Sequence, residues 1–455
     1  MTTMRRHFRL GPISAAVALL ASAGCKDFLD VKPVTEVAGS AAISDLRSAQ
    51  AAAAGMYDEL QNTSYYGGDF TLFMDLSGPD VIHTGTFTSY ADADDNNLTA
   101  DNGSVDGIWA AAYRAIGRAN TIIAKVPGIA SIDASSRDAV LGQAYFVRAL
   151  AYHDLVKVFG QPLGGLGVPI RTKPPVTIEE TFAVTRSTTA EVYALILSDL
   201  AAAEPLLAGT SDRHKATVTA VRALRARVQL YMKDYAGALV SARQVLATSG
   251  YSLAPNYADL FTAGVSTTPE NIFQLSFTAA DASNLGYYYI SKPLGGRREV
   301  APSVSYSTSF PAGDARKTVT AKPRTSAATS YYGAKFPSPA GDDDFHVIRL
   351  AEVILIKAEA HAQLAQLDSA AIEVNKIRVR AKLAPVTVPF PDVATAMTEI
   401  IAQRRWEFGL EGQRWPDLVR LGIAATSYGT QALYPIPQGE IDVTAKGSLV
   451  QNPGY

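Results

Sequence analysis

Ala351–Ala381 reads AEVILIKAEAHAQLAQLDSAAIEVNKIRVRA. Apolar residues recur at helical spacing on both sides of Leu367-Asp368, the pattern of two helices that each bury one face. Ala358, Ala360 and Ala362 precede the break, and Ala370 and Ala371 follow it. Side chains this small let two helix axes approach closely, and a tight turn makes the pair antiparallel. The same logic runs through ALRARVQLYMKDYAGALVSARQVL (Ala223–Leu246), where Ala223, Ala226 and Tyr231 lead to a turn at Lys233-Asp234 and Ala238 and Ala242 lie beyond it. These alanines read as core spacers, and a fold built on such pairs is mostly α.

The pairs resemble tetratricopeptide-type packing, which implies a superhelical scaffold of stacked hairpins. Helical spacing predicts helices, those of the two pairs included, over Ala41–Leu60, Gly107–Val126, Ser136–Phe159, Thr188–Leu207, Thr217–Met232, Tyr235–Ser249, Arg349–Gln366, Ser369–Lys382 and Ala394–Trp415. Between them lie polar, glycine-rich stretches, so residues 41–455 read as a single domain with long loop insertions at about 62–106 and 251–346. Only NIFQLSF (Asn271–Phe277) and LGYYYIS (Leu285–Ser291) have the aromatic and β-branched density of strands.

The N-terminus has its own pattern. Arg5, Arg6 and Arg9 precede an uncharged run from Ile13 to Gly24, the shape of a secretory signal over residues 1–24. That run is shorter than the roughly 20 apolar residues that span a bilayer. LASAGC then resembles a bacterial lipobox, which makes Cys25 the lipidated first residue and residues 25–40 a tether. Each buried acyl CH₂ contributes about 0.8 kcal/mol, so two or three chains anchor a protein durably. A free buried cysteine is the alternative. CKDFLD resembles the export signal of lipoproteins sent to the outer face of the outer membrane. Cys25 is the only cysteine of the 455 residues, so no intrachain disulfide forms. A net charge of −2 gives no electrostatic ground for nucleic acid as a partner.

Catalytic constellations are lacking. His83, His153, His214, His346 and His361 are scattered, and no H-E-x-x-H, G-x-S-x-G or P-loop pattern occurs. No catalytic residue, metal site or cofactor is assigned. Asp92, Asp94 and Asn96 follow the opening of a calcium loop, but Asn97 stands where the turn glycine belongs and Gly103 where the bidentate acid belongs. Calcium is thus a minor alternative to a solvated acidic loop, and GDDDF (Gly341–Phe345) is too short to define a metal site. Tyrosines concentrated in the insertions are more informative. A tyrosine offers a flat apolar face and a hydroxyl, which suits a sugar ring. About 50 Å² of such a face contributes roughly 1 kcal/mol, so several must act together. Tyr65, Tyr66, Asp69, Tyr90, Asn96, Tyr288 and Tyr331 are the candidate ligand residues; the alternative is that the tyrosines pin the loops to the core.

AQRRWEFGLEGQRWPDLVRLG (Ala402–Gly422) and LYPIPQGEIDVTAKGSLVQNPGY (Leu433–Tyr455) resemble the closing signatures of the SusD/RagB family of outer-membrane nutrient-binding lipoproteins. CKDFLDVKP, IWAAAYRAIGRANTII, QAYFVRALAYHDLVKVFG, KDYAGALVSARQVLATSGYSLAPNYADLF and RLAEVILIKAEA match in the family's order. Gln403 departs from the family's usual acidic residue before the Arg pair. The resemblance implies a surface-exposed lipoprotein, held in the outer membrane through its lipid anchor, that captures an oligosaccharide or polysaccharide. It further implies delivery to a SusC-like TonB-dependent barrel without a covalent step. The alternatives are a surface lipoprotein glycan hydrolase and a helical-repeat protein-binding scaffold that takes no glycan. Within the first signature, Arg404, Glu407, Glu411 and Arg414 are spaced to pair along one helix stripe, and Pro416 is expected to end or kink that helix. QNPGY reads as a docked tail.

Overall fold

An Asp, Asn or Thr stands in front of most long helices and caps the free amides of the first turn. In the computed structural model, which describes residues 43–174, 180, 184–265, 267–325, 328–445 and 447–455, these caps open α1 (Leu46–Gln61, Asp45), α4 (Gly103–Lys125, Asn102), α5 (Ala134–Phe159, Asp133), α6 (Thr189–Leu206, Thr188), α7 (Val218–Tyr231, Thr217) and α8 (Tyr235–Leu246, Asp234). The first insertion holds the short α2 (Asp69–Leu76) and α3 (Thr88–Asp94). The last third holds α9 (Leu350–Gln363), α10 (Leu367–Arg380), α11 (Val393–Glu407, capped by Asp392) and α12 (Arg414–Arg420). Cys25, the signal and the tether lie outside the described residues. Asp45–Tyr455 forms one unit, and among the described residues no helix is long and apolar enough to cross a membrane.

The helices pack in sequence: α1 on α4, then each of α4 to α10 on its successor. Both hairpins expected from the alanines form, and they share one turn design. Three residues connect α7 to α8 and three connect α9 to α10, with Lys233 (φ 60°) and Ala365 (φ 55°) in the middle. Every alanine singled out at these two crossings is fully buried. A methyl at such positions fills the narrow space between axes and leaves no cavity.

The insertions are less irregular than their composition suggests. Among the described residues three two-stranded antiparallel sheets form: β1 (Val81–His83) with β3 (Val300–Pro302), β2 (Asn271–Leu275) with β6 (Phe345–Arg349), and β4 (Lys322–Pro323) with β5 (Tyr331–Tyr332). NIFQLSF supplies β2 as expected. LGYYYIS does not: Leu285–Tyr289 is a turn of helix, which buries Leu285, Gly286 and Tyr289 together and leaves Tyr287 exposed, whereas a strand would put Tyr287 on the same face as Leu285 and Tyr289. Strand propensity yields to burial there.

The C-terminal signature also differs from expectation. The helix ends at Glu407, where Leu410 (φ 69°) and Gly412 (φ 70°) turn the chain before α12 begins. Pro416 sits in the first turn of α12, where the missing N–H costs nothing. Arg404, Glu407, Glu411 and Arg414 are all ion-paired, but with other segments and not with one another. Arg404 binds Asp417 at 2.7 Å, and Arg414 reaches Asp80 at 3.2 Å. Glu407 receives Arg349 at 2.6 Å, Arg316 at 3.4 Å and Arg380, while Glu411 receives Lys335 at 2.5 Å and Arg349 at 2.8 Å. Glu270 closes the network on Arg349 and Arg380 at 2.9 and 3.0 Å. Burial would raise the Glu407 carboxyl, but the three guanidiniums outweigh it and hold it far below the usual range. The tail docks as the QNPGY reading expects. Asn452 donates to the carbonyls of Phe159 and Tyr434 at 2.8 Å each and accepts from Arg186 at 2.9 Å.

Candidate functional site

The two insertions meet at β1 and β3, with Ile82 opposite Ala301. Thr84 prolongs the pairing: its amide donates to the Glu299 carbonyl at 2.8 Å and its hydroxyl to the Arg298 carbonyl at 2.8 Å. The Glu299 side chain then turns inward and is fully buried. Its carboxylate accepts the amides of Thr86 and Phe87 at 2.7 and 2.8 Å, His83 Nε2 at 3.1 Å and Arg297 Nε at 2.5 Å. Burial alone would lift this carboxyl, yet the bonds from Phe87, His83, Thr86 and Arg297 outweigh it and keep the group below its ordinary value. Gly85 fits because a Cβ at that position would overlap the same carboxylate. Glu299 therefore fixes the loop Thr84–Phe87 against the second insertion.

What this loop presents is a cluster of rings. Phe87 meets Tyr90 at 5.5 Å and Tyr288 at 5.8 Å, Tyr90 meets Tyr288 at 6.0 Å, and Tyr287 lies 5.7 Å from Tyr288. The first three contacts are edge-to-face, the favoured geometry for aromatic quadrupoles. Arg297 lays its guanidinium 4.0 Å from the centre of the Phe87 ring and donates to the Thr86 hydroxyl at 2.7 Å. Beneath them, the Tyr90 hydroxyl donates to Asp69 at 2.7 Å, and burial lifts the Asp69 carboxyl in spite of that bond. Tyr287 is 40% exposed, and Phe87, Tyr288 and Arg297 are half-buried. The result is a fixed surface of flat apolar faces edged by hydroxyl, guanidinium and carboxylate groups, able to bind a ligand with an apolar face and polar rim.

Of the seven candidate residues, Asp69, Tyr90 and Tyr288 come together here, with Tyr90 buried beneath the others. Tyr65 and Tyr66 do not join them. Their rings stack at 4.7 Å, both hydroxyls donate to Asp154 on α5 at 2.6 Å, and both are buried, so they pin the loop to the helices. Tyr331 is likewise buried, against Tyr306 and Phe310. Asn96 sits beyond the end of α3 at φ 51°, and its side-chain amide lies 3.4 Å from the Asp94 carbonyl. The acidic spacing does not form a calcium loop. Asp92 and Asp94 are helical and point in different directions, Asp94 accepts the His83 amide at 2.9 Å, and Asp92 accepts Asn102 at 3.2 Å. Among the described residues no group of three or more His, Cys, Asp and Glu side chains could hold a metal ion. Phe87, Arg297 and Glu299 are missing from the sequence reading; the ring in the polar run GTFTSY and the charge triplet RRE were the available signals.

Comparison with known proteins places the chain. A family model described as starch-binding associating with outer membrane matches residues 27–230, and the SusD family model matches residues 313–432. SusD-like protein P2 of Formosa agariphila is 26% identical over 511 aligned positions, which cover 97% of this chain and 99% of that one. The crystal structure of a SusD superfamily protein from Bacteroides thetaiotaomicron superposes with a TM-score of 0.78 at 25% identity, over 90% of this chain and 100% of its own. The fold is shared with surface glycan-binding protein A of the same species, solved in complex with laminarihexaose, at a TM-score of 0.75, 21% identity and coverage of 89% and 99%. With two family models in chain order and a relative matched along its whole length, this chain belongs to the SusD/RagB family.

Proposed function

We propose that this protein captures an oligosaccharide at the cell surface and delivers it to a SusC-like TonB-dependent barrel. The observation that carries the reading is the ring cluster of Phe87, Tyr287 and Tyr288 at the seam of the two insertions, framed by Arg297. Stacking on two or three such faces gives an affinity that is useful yet reversible, as delivery requires. The fold's kinship to a protein solved with laminarihexaose supports a glycan as the ligand class. Lipidation at Cys25 holds the protein in the outer membrane, and the stacked helices offer the extended surface on which the barrel docks. No bond is made or broken in this scheme.

The test is native gel electrophoresis through gels containing single polysaccharides, with assay of reducing ends on the same mixtures. Retardation without new reducing ends is expected, and Tyr288→Ala should weaken it about tenfold, or about 1.4 kcal/mol. Release of shorter sugars would replace capture by hydrolysis.

A further inference from the structure

The second insertion is strongly basic where it borders the ring cluster. Residues 284–333 contain seven Lys and Arg against two Asp and Glu, in a chain whose net charge is −2. Both acids are already used: Glu299 holds Arg297 at 2.5 Å, and Asp314 holds Arg316 at 2.6 Å. Lys292, Arg298, Lys317, Lys322 and Arg324 make no ion pair among the described residues.

Three of these cations belong to one patch. Arg298 follows Arg297 directly, at φ 53°, and its side chain reaches β5, where Nε lies 3.4 Å from the Tyr331 carbonyl. Tyr331 pairs with Pro323, between Lys322 and Arg324, and the Arg324 amide donates to the Ser330 carbonyl at 2.9 Å. Lys322 and Arg324 are two residues apart on an extended segment, so they share a face, and both are exposed. Arg298 and Arg324 are close enough to act on each other: burial first, and then the charge of Arg324, lowers the Arg298 pKa. Like charges held near one another without a counter-ion raise the energy of the free protein, and a bound anion removes that cost. Guanidiniums also pair bidentately with two oxygens of a carboxylate or of a sulfate.

We propose that the captured glycan is anionic, with sulfate esters or uronate carboxylates lying on Arg298, Lys322 and Arg324 while a neighbouring ring stacks on Tyr288 and Phe87. This rests on the glycan-capture reading above and narrows its ligand class. A membrane surface could meet the same charges, but the adjoining ring faces favour a sugar.

The protein should be run through gels containing laminarin (neutral), carrageenan (sulfated) or polygalacturonate (carboxylated), and mixed in parallel with phosphatidylglycerol vesicles. Wild type, Arg298→Gln/Arg324→Gln, Lys322→Gln and Tyr288→Ala are compared after circular dichroism confirms equal folding. The expected result is retardation by carrageenan or polygalacturonate at least tenfold stronger than by laminarin. It should weaken as salt rises from about 50 to about 300 mM, and weaken at least fivefold in the double arginine variant and in Tyr288→Ala. Whichever of the two polymers binds identifies the substituent. Lys322→Gln, on an exposed side chain, should give a smaller loss in the same direction. Laminarin binding that depends on Tyr288 but is indifferent to the arginines would overturn the anionic inference and leave glycan capture standing. Arginine-dependent vesicle binding with no retardation in any gel would overturn both.

Discussion

Glu407 and Glu299 are both fully buried carboxylates, yet they do opposite work. Glu407 faces guanidiniums from three separate segments and joins the end of α11 to α10, β6 and the second insertion. Glu299 faces two backbone amides, a histidine and one arginine, all within the seam. The first neutralises charges that the scaffold cannot leave unpaired. The second shapes a loop so that one ring stands where a ligand can reach it. The lesson is that burial of a carboxylate does not define its role; the kind of donor around it does.

That contrast can be broken experimentally. Glu407→Ala removes the carboxylate shared by Arg349, Arg380 and Arg316, leaves three buried guanidiniums to Glu270, Glu411 and Asp314, and should lower unfolding free energy by about 3–5 kcal/mol in urea denaturation. If the loss were below about 1 kcal/mol, the network would be dispensable and the distinction would collapse. Glu299→Gln should cost only about 1–2 kcal/mol, since a glutamine oxygen can still accept from the Thr86 and Phe87 amides and only one guanidinium loses its counter-charge. It should instead weaken glycan retention, because the guanidinium so released is that of Arg297, which lies over the Phe87 ring. Equal effects of both variants on stability and on binding would refute the division.

Acid titration sharpens the same comparison. Burial would raise Asp417, but Arg404 and Arg420 hold it down to about 2, from an ordinary value near 3.8. The stability this carboxylate contributes is complete above about pH 4 and is lost as pH falls through its folded value. Asp75 has the opposite sign. Burial pushes it up to about 8, so its contribution weakens stability as pH rises from about 4 towards 8. Asp75→Asn should flatten the fall in melting temperature across that range while leaving the acid limb unchanged. The smallest effect belongs to the hairpin turns. Lys233→Gly and Ala365→Gly relieve a left-handed backbone, and each should change stability by less than about 1 kcal/mol, towards stabilisation.

The hairpins were legible because their information is local. Ala358 and Ala362, then Ala370 and Ala371, fall at helical spacing within one short window, with the turn between the two sets. The seam was legible only in part. Tyr288 announces itself as an aromatic in a polar run, but Phe87 and Arg297 acquire meaning from each other across more than 200 residues. β6 escaped notice because it runs straight into α9 with no turn residue to mark the change of period. Glu411 and Arg414 misled for the opposite reason: their spacing fits a helix stripe, and the left-handed Leu410 removes them from it.

The short β1–β3 ladder has a kinetic consequence. Most of the helical stack lies between its strands in the chain, so the ladder can close only after the stack has brought its ends together. With three residue pairs it is also among the least protected parts of the fold, and its amides should exchange with deuterium ahead of those of α5 or α9. A bound ligand that bridges Phe87 and Tyr288 would slow that exchange at His83 and Thr84 first, which makes these two amides a built-in reporter of occupancy.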